Sequence, residues 1–339
     1  MNHRVAVIGA GSWGTALARL LALNGHTVTL HCFPPEIASG INRDHRNPLY
    51  FAGTRLPSSL IATSSVPEAL SAAQVAYLVV PTIFLRRFIG DSLNDWRGWA
   101  TSQPGRVLCN CTKGLLLQPT QRTDEWLAQL LPEAALVHLA GPNFAVEIIA
   151  GQPAAAVAAG PEPAARQVQQ QLMCDSYRVY TGADNVGVEV AGFYKNIIAI
   201  AAGAVHGLGL GENARASLIT RGLAEMGRLV GYFGGDPATL TGLAGVGDLM
   251  LTCGSAKSRN FQVGLHRAAG QPLAQILAEM TQVAEGVMAS RAVHLWPSEH
   301  GLSGWPELPI AHEVYRIVHE EADPRESITR LMRRPPKAE

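Results

Sequence analysis

The segment GAGSWG at positions 9–14 constrains the fold of this chain more than any other stretch of its sequence. It follows an apolar run at 5–9 and opens a pattern of helical spacing. A GxGxxG turn between a strand and a helix is typical of a dinucleotide-binding βαβ unit. In such a turn Gly9 permits the tight bend, Gly11 lets the backbone approach a pyrophosphate, and Gly14 lets the helix lie close to the strand.

The first half of the chain alternates apolar runs of strand length with helical patterns. The runs lie at 5–9, 27–32, 75–80, 106–111, 136–140 and 154–159. Unbroken apolar runs are expected of strands that are covered on both faces, and helical segments between them indicate βαβ units. We therefore predict an α/β protein whose N-terminal part is a Rossmann-type, doubly wound parallel sheet.

Long helical patterns dominate from about position 190 onward. They lie at 190–206, 213–233, 258–268, 285–296, 310–320 and 325–333. We predict a dinucleotide-binding domain at 1–188 and an all-α substrate-binding and catalytic domain at 189–339. Because no Ser- or Pro-rich linker separates them, we expect the helix at 190–206 to pack against the sheet domain, with a ligand cleft at the junction.

Composition argues against several classes of protein. Lys and Arg number 27, and Asp and Glu also number 27, so no basic patch suited to nucleic acid or an anionic membrane is indicated. The five cysteines form no CxxC pair, which argues against a disulfide framework or a metal site and favours a reducing cytoplasm. The apolar run at 197–205 is too short to cross a bilayer, so we expect no membrane insertion.

Several polar clusters interrupt the apolar surroundings. TKG at 112–114 and GPNFAVE at 141–147 each follow a predicted strand, where open α/β sheets bind ligands. Lys195 lies in an apolar helical pattern, although a lysine that snorkels from a buried helix would give the same pattern. Asp248 lies in a glycine-rich bend, and SRN at 258–260 suits either a phosphate clamp or a simple helix N-cap with a surface arginine.

Together these segments resemble the bacterial-type NAD(P)-dependent glycerol-3-phosphate dehydrogenases. The resemblance rests on motifs in order along nearly the whole chain: GAGSWGTALA, TKG, GPNFA, YKNIIAIAAG, GENARASLITRGLAEM, GLAGVGDLMLTC, SRN, EGV and LPIAHEVY. It implies a Rossmann-type domain followed by an all-α domain, NAD or NADP as cofactor without a metal, and interconversion of dihydroxyacetone phosphate and sn-glycerol 3-phosphate for phospholipid synthesis. The sequence is compatible with a homodimer but does not fix the oligomeric state.

The resemblance also implies roles for individual residues, and it makes Lys195 the catalytic residue. The implied substrate-binding residues are Lys113, Gly141, Asn143, Lys195, Asp248, Ser258, Arg259 and Asn260. The implied cofactor-binding residues are Gly9, Gly11, Ser12, Trp13, Gly14, Phe33, Lys113, Ala145, Arg259, Val283 and Glu285.

Two departures from the family pattern bear on these roles. Phe33 stands where the family commonly has Arg or His, and Asn143 stands where it more often has Ser or Thr. An acidic residue after the second strand would bind the ribose of NAD, and a basic one the phosphate of NADP. Glu36 or Arg43 could serve instead, so the choice between NAD and NADP stays open.

Reduction of a ketone by hydride transfer places negative charge on the carbonyl oxygen, which needs a proton donor within hydrogen-bond reach. Lys195 suits that role. Burial beside Lys113 and Arg259 should lower the pKa of Lys195, whereas Asp248 opposes that shift. The sequence alone does not give the direction of the net pKa shift.

Two alternative functions are weighed against this hypothesis. One is another dehydrogenase with a Rossmann domain, an all-α domain and a catalytic lysine, acting on a hydroxy acid such as 6-phosphogluconate or 3-hydroxyisobutyrate. The ordered GPNFA, GDL and SRN motifs argue against it. The other is a non-catalytic NAD(P)-sensing regulator, which would have no need of Lys113, Lys195, Asp248 and Arg259 together.

Overall fold

The computed structural model describes residues 2–280, 282–301 and 304–336. The chain divides into two compact units. The first consists of Met1–Thr112 and Thr123–Asn185, and the second of Lys113–Arg122 and Val186–Glu339. The short segment 113–122 therefore belongs to the second unit, although the first unit flanks it on both sides in sequence.

One eight-stranded sheet forms the centre of the first unit. Its strands are β1 (Arg4–Ile8), β2 (Thr27–His31), β3 (Leu60–Thr63), β4 (Val75–Leu78), β5 (Val107–Asn110), β6 (Ala135–Ala140), β7 (Ala154–Ala159) and β8 (Tyr177–Gly182). They lie in the order β3-β2-β1-β4-β5-β6-β7-β8. All neighbouring pairs are parallel except β6 and β7, which are antiparallel. The predicted α/β fold is confirmed, with this one antiparallel pair as a departure from an all-parallel sheet.

The apolar runs predict six of these strands but miss β3 and β8, which lie at the two edges of the sheet. In β8, Tyr177 and Val179 are buried, whereas Arg178 and Tyr180, which alternate with them, are exposed. β3 is only four residues long, and its Ile61 is exposed. An edge strand covered on one face alternates in polarity, so it lacks the unbroken apolar run of a central strand.

Helices connect and cover the strands of the first unit. They are α1 (Ser12–Leu23), α2 (Pro35–Asp44), α3 (Val66–Leu70), α4 (Thr82–Asp91), α5 (Leu93–Ser102), α6 (Thr123–Leu130), α7 (Ala145–Ile149) and α8 (Glu162–Leu172). Leu17 of α1 is completely buried in one core cluster with Val7 of β1 and Leu30 of β2. This packing fixes α1 on the sheet, and with it the glycine turn from which the helix begins.

The second unit is helical. Its helices are α9 (Asn185–Gly207), α10 (Gly211–Tyr232), a 3₁₀ turn (Pro237–Thr241), a π-helical turn (Leu243–Gly247), α11 (Asp248–Cys253), α12 (Arg259–Ala268), α13 (Leu273–Glu279), α14 (Glu285–His300), α15 (Pro309–His319) and α16 (Pro324–Met332). From α9 onward the described residues contain no strand. The predicted all-α C-terminal part is confirmed.

Helix α9 is both long and strongly apolar. It has 23 residues, and its most apolar window reaches a mean hydropathy of 1.4, so by length and composition it could span a membrane. The apolar run at 197–205 is thus part of a longer helix, and the expectation that it is too short is wrong. However, 94% of that window is buried within the structure, which identifies α9 as a core helix.

Glycines let α9 and α12 touch at their backbones. A Cβ atom built on Gly203 would lie 1.9 Å from the carbonyl oxygen of Phe261, and one built on Gly264 would lie 1.8 Å from that of Ile200. Real Cβ atoms do not approach backbone oxygens so closely. The distance between these two helices therefore depends on both glycines.

We predict that Gly264→Ala lowers the free energy of unfolding by about 1–3 kcal/mol or more, because the added methyl group forces α9 and α12 apart. Gly231→Ala is the matched control, since nothing lies within 4 Å of a Cβ at that position of α10. Alanine there should leave stability unchanged or raise it by about 0.5–1 kcal/mol. Urea denaturation of both variants measures the difference, and equal stabilities would contradict the helix contact.

Candidate active site

In the glycine turn at the start of α1, close packing requires two of the glycines, and the third faces open space. Gly9 has a φ of +113°, and a Cβ there would lie 2.9 Å from the carbonyl oxygen of Val79. A Cβ on Gly14 would lie 1.8 Å from the carbonyl oxygen of Gly9. Gly11, in contrast, has nothing within 4 Å of its Cβ position. Protein packing explains Gly9 and Gly14, whereas Gly11 leaves space at a helix N-terminus, where a phosphate group fits.

The other residues predicted to bind the cofactor in the first unit lie near the ends of strands. Ser12 and Trp13 are the first residues of α1, and Trp13 packs against the core of the sheet. Ala145 begins α7 and also packs against that core. Phe33 follows β2 and is 83% exposed.

The two predicted substrate residues of the first unit follow β6. Gly141 has a φ of +140°, and a Cβ there would lie 2.9 Å from the carbonyl oxygen of Ala155. The side-chain oxygen of Asn143 is buried without a hydrogen-bond partner among the described residues. An unpartnered buried acceptor is costly unless a ligand satisfies it. Asn143 therefore suits contact with a hydroxyl or amide group of a ligand.

A buried charged cluster occupies the second unit. Asp248, the first residue of α11, accepts a hydrogen bond at Oδ1 from Nζ of Lys195 at 2.5 Å and at Oδ2 from Nζ of Lys113 at 2.8 Å. Thr252, one turn later, accepts from Nζ of Lys195 at 2.9 Å and donates to the carbonyl oxygen of Asp248 at 2.6 Å. The side chain of Asp248 is 2% exposed and that of Lys195 6%. The side chain of Lys113 is 24% exposed.

The segment 113–122 is fastened to the second unit at both ends. Near its start, Nδ2 of Asn196 donates to the carbonyl oxygen of Lys113 at 3.3 Å. Near its end, the amide of Thr120 donates to a carboxylate oxygen of Glu299 at 2.6 Å. Lys113 is therefore held with α9 and α14 and stays beside Asp248.

Charge and burial together set the ionisation of the cluster. Burial lowers the pKa of Lys195 to about 7, with Asp248 opposing this shift and Lys113 adding to it. Burial alone would raise the pKa of Asp248, but the two ammonium groups and their hydrogen bonds outweigh it and lower that pKa. Asp248 is thus a carboxylate at neutral pH, while Lys195 can exchange a proton there.

The SRN segment begins α12 and divides into different roles. Oγ of Ser258 accepts from the amide of Phe261 at 3.3 Å, so Ser258 is the N-cap of the helix. Arg259 is the first residue of α12 and is exposed. Asn260 is buried. Its side-chain Nδ2 donates to Oδ1 of Asn196 at 2.9 Å, and its Oδ1 accepts from the backbone amide of Gly286 at 2.9 Å. The side chain of Asn260 therefore joins α9, α12 and α14.

The last two predicted cofactor residues lie where α14 begins. Val283 precedes the helix and is half-buried, and Glu285 is its first residue.

The sequence-based site list lacks two polar residues that the structure places in the cluster, Thr252 and Asn196. Thr252 lies four residues after Asp248, which puts both side chains on one face of α11. That spacing is the signal that could have found it. Asn196 follows Lys195 directly, but its partners, the segment 113–122 and α12, are distant in sequence.

Comparisons with known proteins agree on one family. Residues 4–166 match the family model described as NAD-dependent glycerol-3-phosphate dehydrogenase N-terminus, and residues 184–329 match the model for its C-terminus. A protein named glycerol-3-phosphate dehydrogenase, NAD(P)+, from Geobacter metallireducens is 43% identical over 343 positions, which cover 100% of this chain and 99% of that protein. The protein of the same name from Chlorobium limicola is 42% identical, with 99% of each chain covered.

Solved structures give the same result. A crystal structure of glycerol-3-phosphate dehydrogenase from Coxiella burnetii superposes with a TM-score of 0.90 at 35% identity, covering 98% of this chain and 99% of that one. Glycerol-3-phosphate dehydrogenase from Saccharomyces cerevisiae has a TM-score of 0.82 at 25% identity, covering 97% of this chain and 99% of that one.

We predict that Asp248→Asn lowers the free energy of unfolding by about 3–5 kcal/mol, because it leaves two ammonium groups near each other without their shared carboxylate. The loss should be larger at about pH 6 than at about pH 9, since Lys195, with a pKa of about 7, is charged only at the lower pH. Urea denaturation at both pH values measures the two losses. A loss that does not depend on pH would show that Lys195 does not titrate in this range.

Proposed function

This chain belongs to the NAD-dependent glycerol-3-phosphate dehydrogenase family, and from that premise we propose that Lys195 moves the proton when dihydroxyacetone phosphate and sn-glycerol 3-phosphate are interconverted. The protein is an NAD(P)-dependent oxidoreductase, and its product supplies phospholipid synthesis. The observation that carries the proposal is the buried ammonium of Lys195, held between Asp248 and Thr252. A proton donor of this kind is what the oxygen of a reduced ketone needs.

Bound NAD(P)H supplies the hydride that reduces the ketone carbon. The open position at Gly11 supports binding of its pyrophosphate by the turn that also contains Gly9 and Gly14. The remaining residues that we assign to cofactor binding are Ser12, Trp13, Phe33, Lys113, Ala145, Arg259, Val283 and Glu285. We accordingly assign most of the dinucleotide-binding residues to the first unit and most of the substrate-binding residues to the second.

Lys195 transfers the proton in both directions. In ketone reduction its ammonium form donates a proton to the developing alkoxide, and in oxidation of the hydroxyl its neutral amine accepts that proton. A pKa of about 7 makes both forms available near neutral pH. Asp248 and Thr252 accept hydrogen bonds from Nζ and thereby fix the direction from which the proton is given.

Two cations of the second unit suit the phosphorylated substrate. Arg259 begins α12, where the helix dipole and the side-chain charge both attract an anion. Lys113 adds a second positive charge beside Lys195. Ser258 and Asn260 support Arg259 by capping and anchoring its helix, and we assign the substrate hydroxyl groups to Gly141 and Asn143.

The residue that follows β2 bears on the choice between NAD and NADP. Phe33 carries no charge that could bind the ribose of NAD or the phosphate on the ribose of NADP. The names of the relatives include both NAD and NADP. The ratio of the rates with NADH and NADPH gives the preference.

We place the enzyme in the cytoplasm, which the free state of all five cysteines supports. Light scattering tests whether the enzyme is a homodimer.

The first test is whether the purified protein oxidises NADH or NADPH when dihydroxyacetone phosphate is added. Oxidation with this ketone supports the proposed reaction. Oxidation only with the keto acid of another dehydrogenase favours the hydroxy-acid alternative, and nucleotide binding without oxidation favours the sensor.

We predict that Lys195→Ala lowers the turnover number at least about 10²-fold, because the variant lacks the proton donor. The dissociation constant for NADH should stay within about twofold of wild type, since the glycine turn is untouched. Stopped-flow turnover and a fluorescence titration with NADH measure the two quantities. Near-normal turnover in the variant would remove Lys195 from the mechanism.

We predict that Arg259→Ala raises the KM for dihydroxyacetone phosphate by about tenfold or more, because a charge-assisted contact to phosphate is lost. Lys257→Ala removes an exposed cation two residues earlier and serves as the control. Its KM should equal that of wild type. If both variants show the same KM, Arg259 does not bind the substrate phosphate.

A further inference from the structure

Glu225 is a buried carboxylate that the proposed mechanism does not use. It lies on α10 in the GLAEM segment and is 1% exposed. Two further segments contact it: YKN, which contains Lys195, and LPIAHEVY at the start of α15. No step of the proposed reaction explains why these three segments meet at one carboxylate.

Three donors surround the carboxylate. Oε1 accepts from the amide of Ile310 at 2.7 Å, and Oε2 accepts from the amide of Ala311 at 3.3 Å. Both amides belong to the first turn of α15, where backbone donors have no partner within the helix. The third donor is the hydroxyl of Tyr194, 2.7 Å from Oε2. Glu225 thus joins α9, α10 and α15.

The surroundings of Glu225 suit a carboxylate better than an amide. Burial raises the pKa of Glu225, while the amide of Ile310, the hydroxyl of Tyr194, the amide of Ala311 and the charge of Arg228 oppose that shift. Burial and the neighbouring carboxylate hold the pKa of Tyr194 well above its usual value, so its hydroxyl stays a donor. A glutamine would have to turn its own NH₂ group toward one of these donors.

Tyr194 precedes Lys195 directly, so their side chains leave α9 about 100° apart around the helix axis. Lys195 is fastened on one side by Asp248, and Tyr194 on the other by Glu225. Much of the other packing of α9 is apolar, as where Ile198 packs on Gly222 of α10. Apolar contacts are not directional, whereas a hydrogen bond depends on angle. Together with the hydrogen bonds of Asn196, these two polar contacts therefore set the rotation of α9 about its axis.

We propose that Glu225 is a positioning residue for Lys195: through Tyr194 it fixes the rotation of α9 and so the direction in which the ammonium points. This proposal rests on the proposed function, since it presumes that Lys195 moves the proton. It assigns the GLAEM and LPIAHEVY segments a shared part in the reaction, although neither contributes a group to the cluster around Asp248.

The test compares Glu225→Gln and Tyr194→Phe with the control Glu212→Gln. Glu212 lies on the same helix, but it is exposed and pairs with Arg215. Both test variants should lower kcat for ketone reduction by about tenfold to a hundredfold, as expected when a reacting group is misplaced by about 1 Å. Their KM for NADH should not change, and the limb of the kcat pH profile that reports Lys195 should shift. The control should behave as wild type.

A double variant separates positioning from general stability. Because both changes act on the same contact, Tyr194→Phe combined with Glu225→Gln should lower kcat by less than the product of the two single effects. If the single variants lower the melting temperature but leave kcat and the pH limb unchanged, the contact is structural only and the proposal is wrong. Tyr194→Phe removes a single oxygen atom, so it decides the matter even where Glu225→Gln does not fold.

Wild type and Lys195→Ala are measured in the same assay. If wild type does not turn over, or if Lys195→Ala retains turnover, the proposed function fails and the positioning role fails with it. If both behave as expected while the Glu225 and Tyr194 variants match wild type, only the positioning role is overturned.

Discussion

The second unit depends most on the two ion pairs that the Asp248 carboxylate forms. This carboxylate binds two ammonium groups, those of Lys113 and Lys195, and only 2% of the Asp248 side chain is exposed. An isolated charge at this depth would be costly, and two like charges without a shared partner would repel each other. Burial favours the neutral form of Lys195, whereas Asp248 favours the charged form. The balance brings its pKa to about 7, where a proton can move either way.

Close backbone packing fixes the positions of the helices around Asp248. Gly203 and Gly264 let α9 and α12 touch, and a Cβ on Gly286 would lie 2.5 Å from the carbonyl oxygen of Asn196. The amide of Asn260 adds a polar link among α9, α12 and α14. Small residues at the contacts and buried polar links between them leave α9 little freedom to move. A buried lysine keeps a shifted pKa only in surroundings that do not relax around its charge.

Features encoded by local sequence could be predicted, and features made by distant contacts could not. The glycine turn, the central strands and most helices of the second unit follow from spacing and apolar periodicity. Lys195 stands out because a cation is rare in so apolar a helix. The edge strand β8 is missed because it alternates in polarity. That the segment 113–122 belongs to the helical unit depends on contacts with Asn196 and Glu299, which are far away in sequence.

The most direct test of the account is the pH dependence of kcat in the two directions of the reaction. In the proposed mechanism ketone reduction needs the protonated form of Lys195, so its kcat should fall as the pH rises through about 7. In the same mechanism oxidation of sn-glycerol 3-phosphate needs the neutral amine, so its kcat should fall as the pH drops through the same value. Opposite limbs near one pKa are the predicted result. Two profiles that change in the same direction, or that show no limb near this pKa, would contradict a proton carried by Lys195.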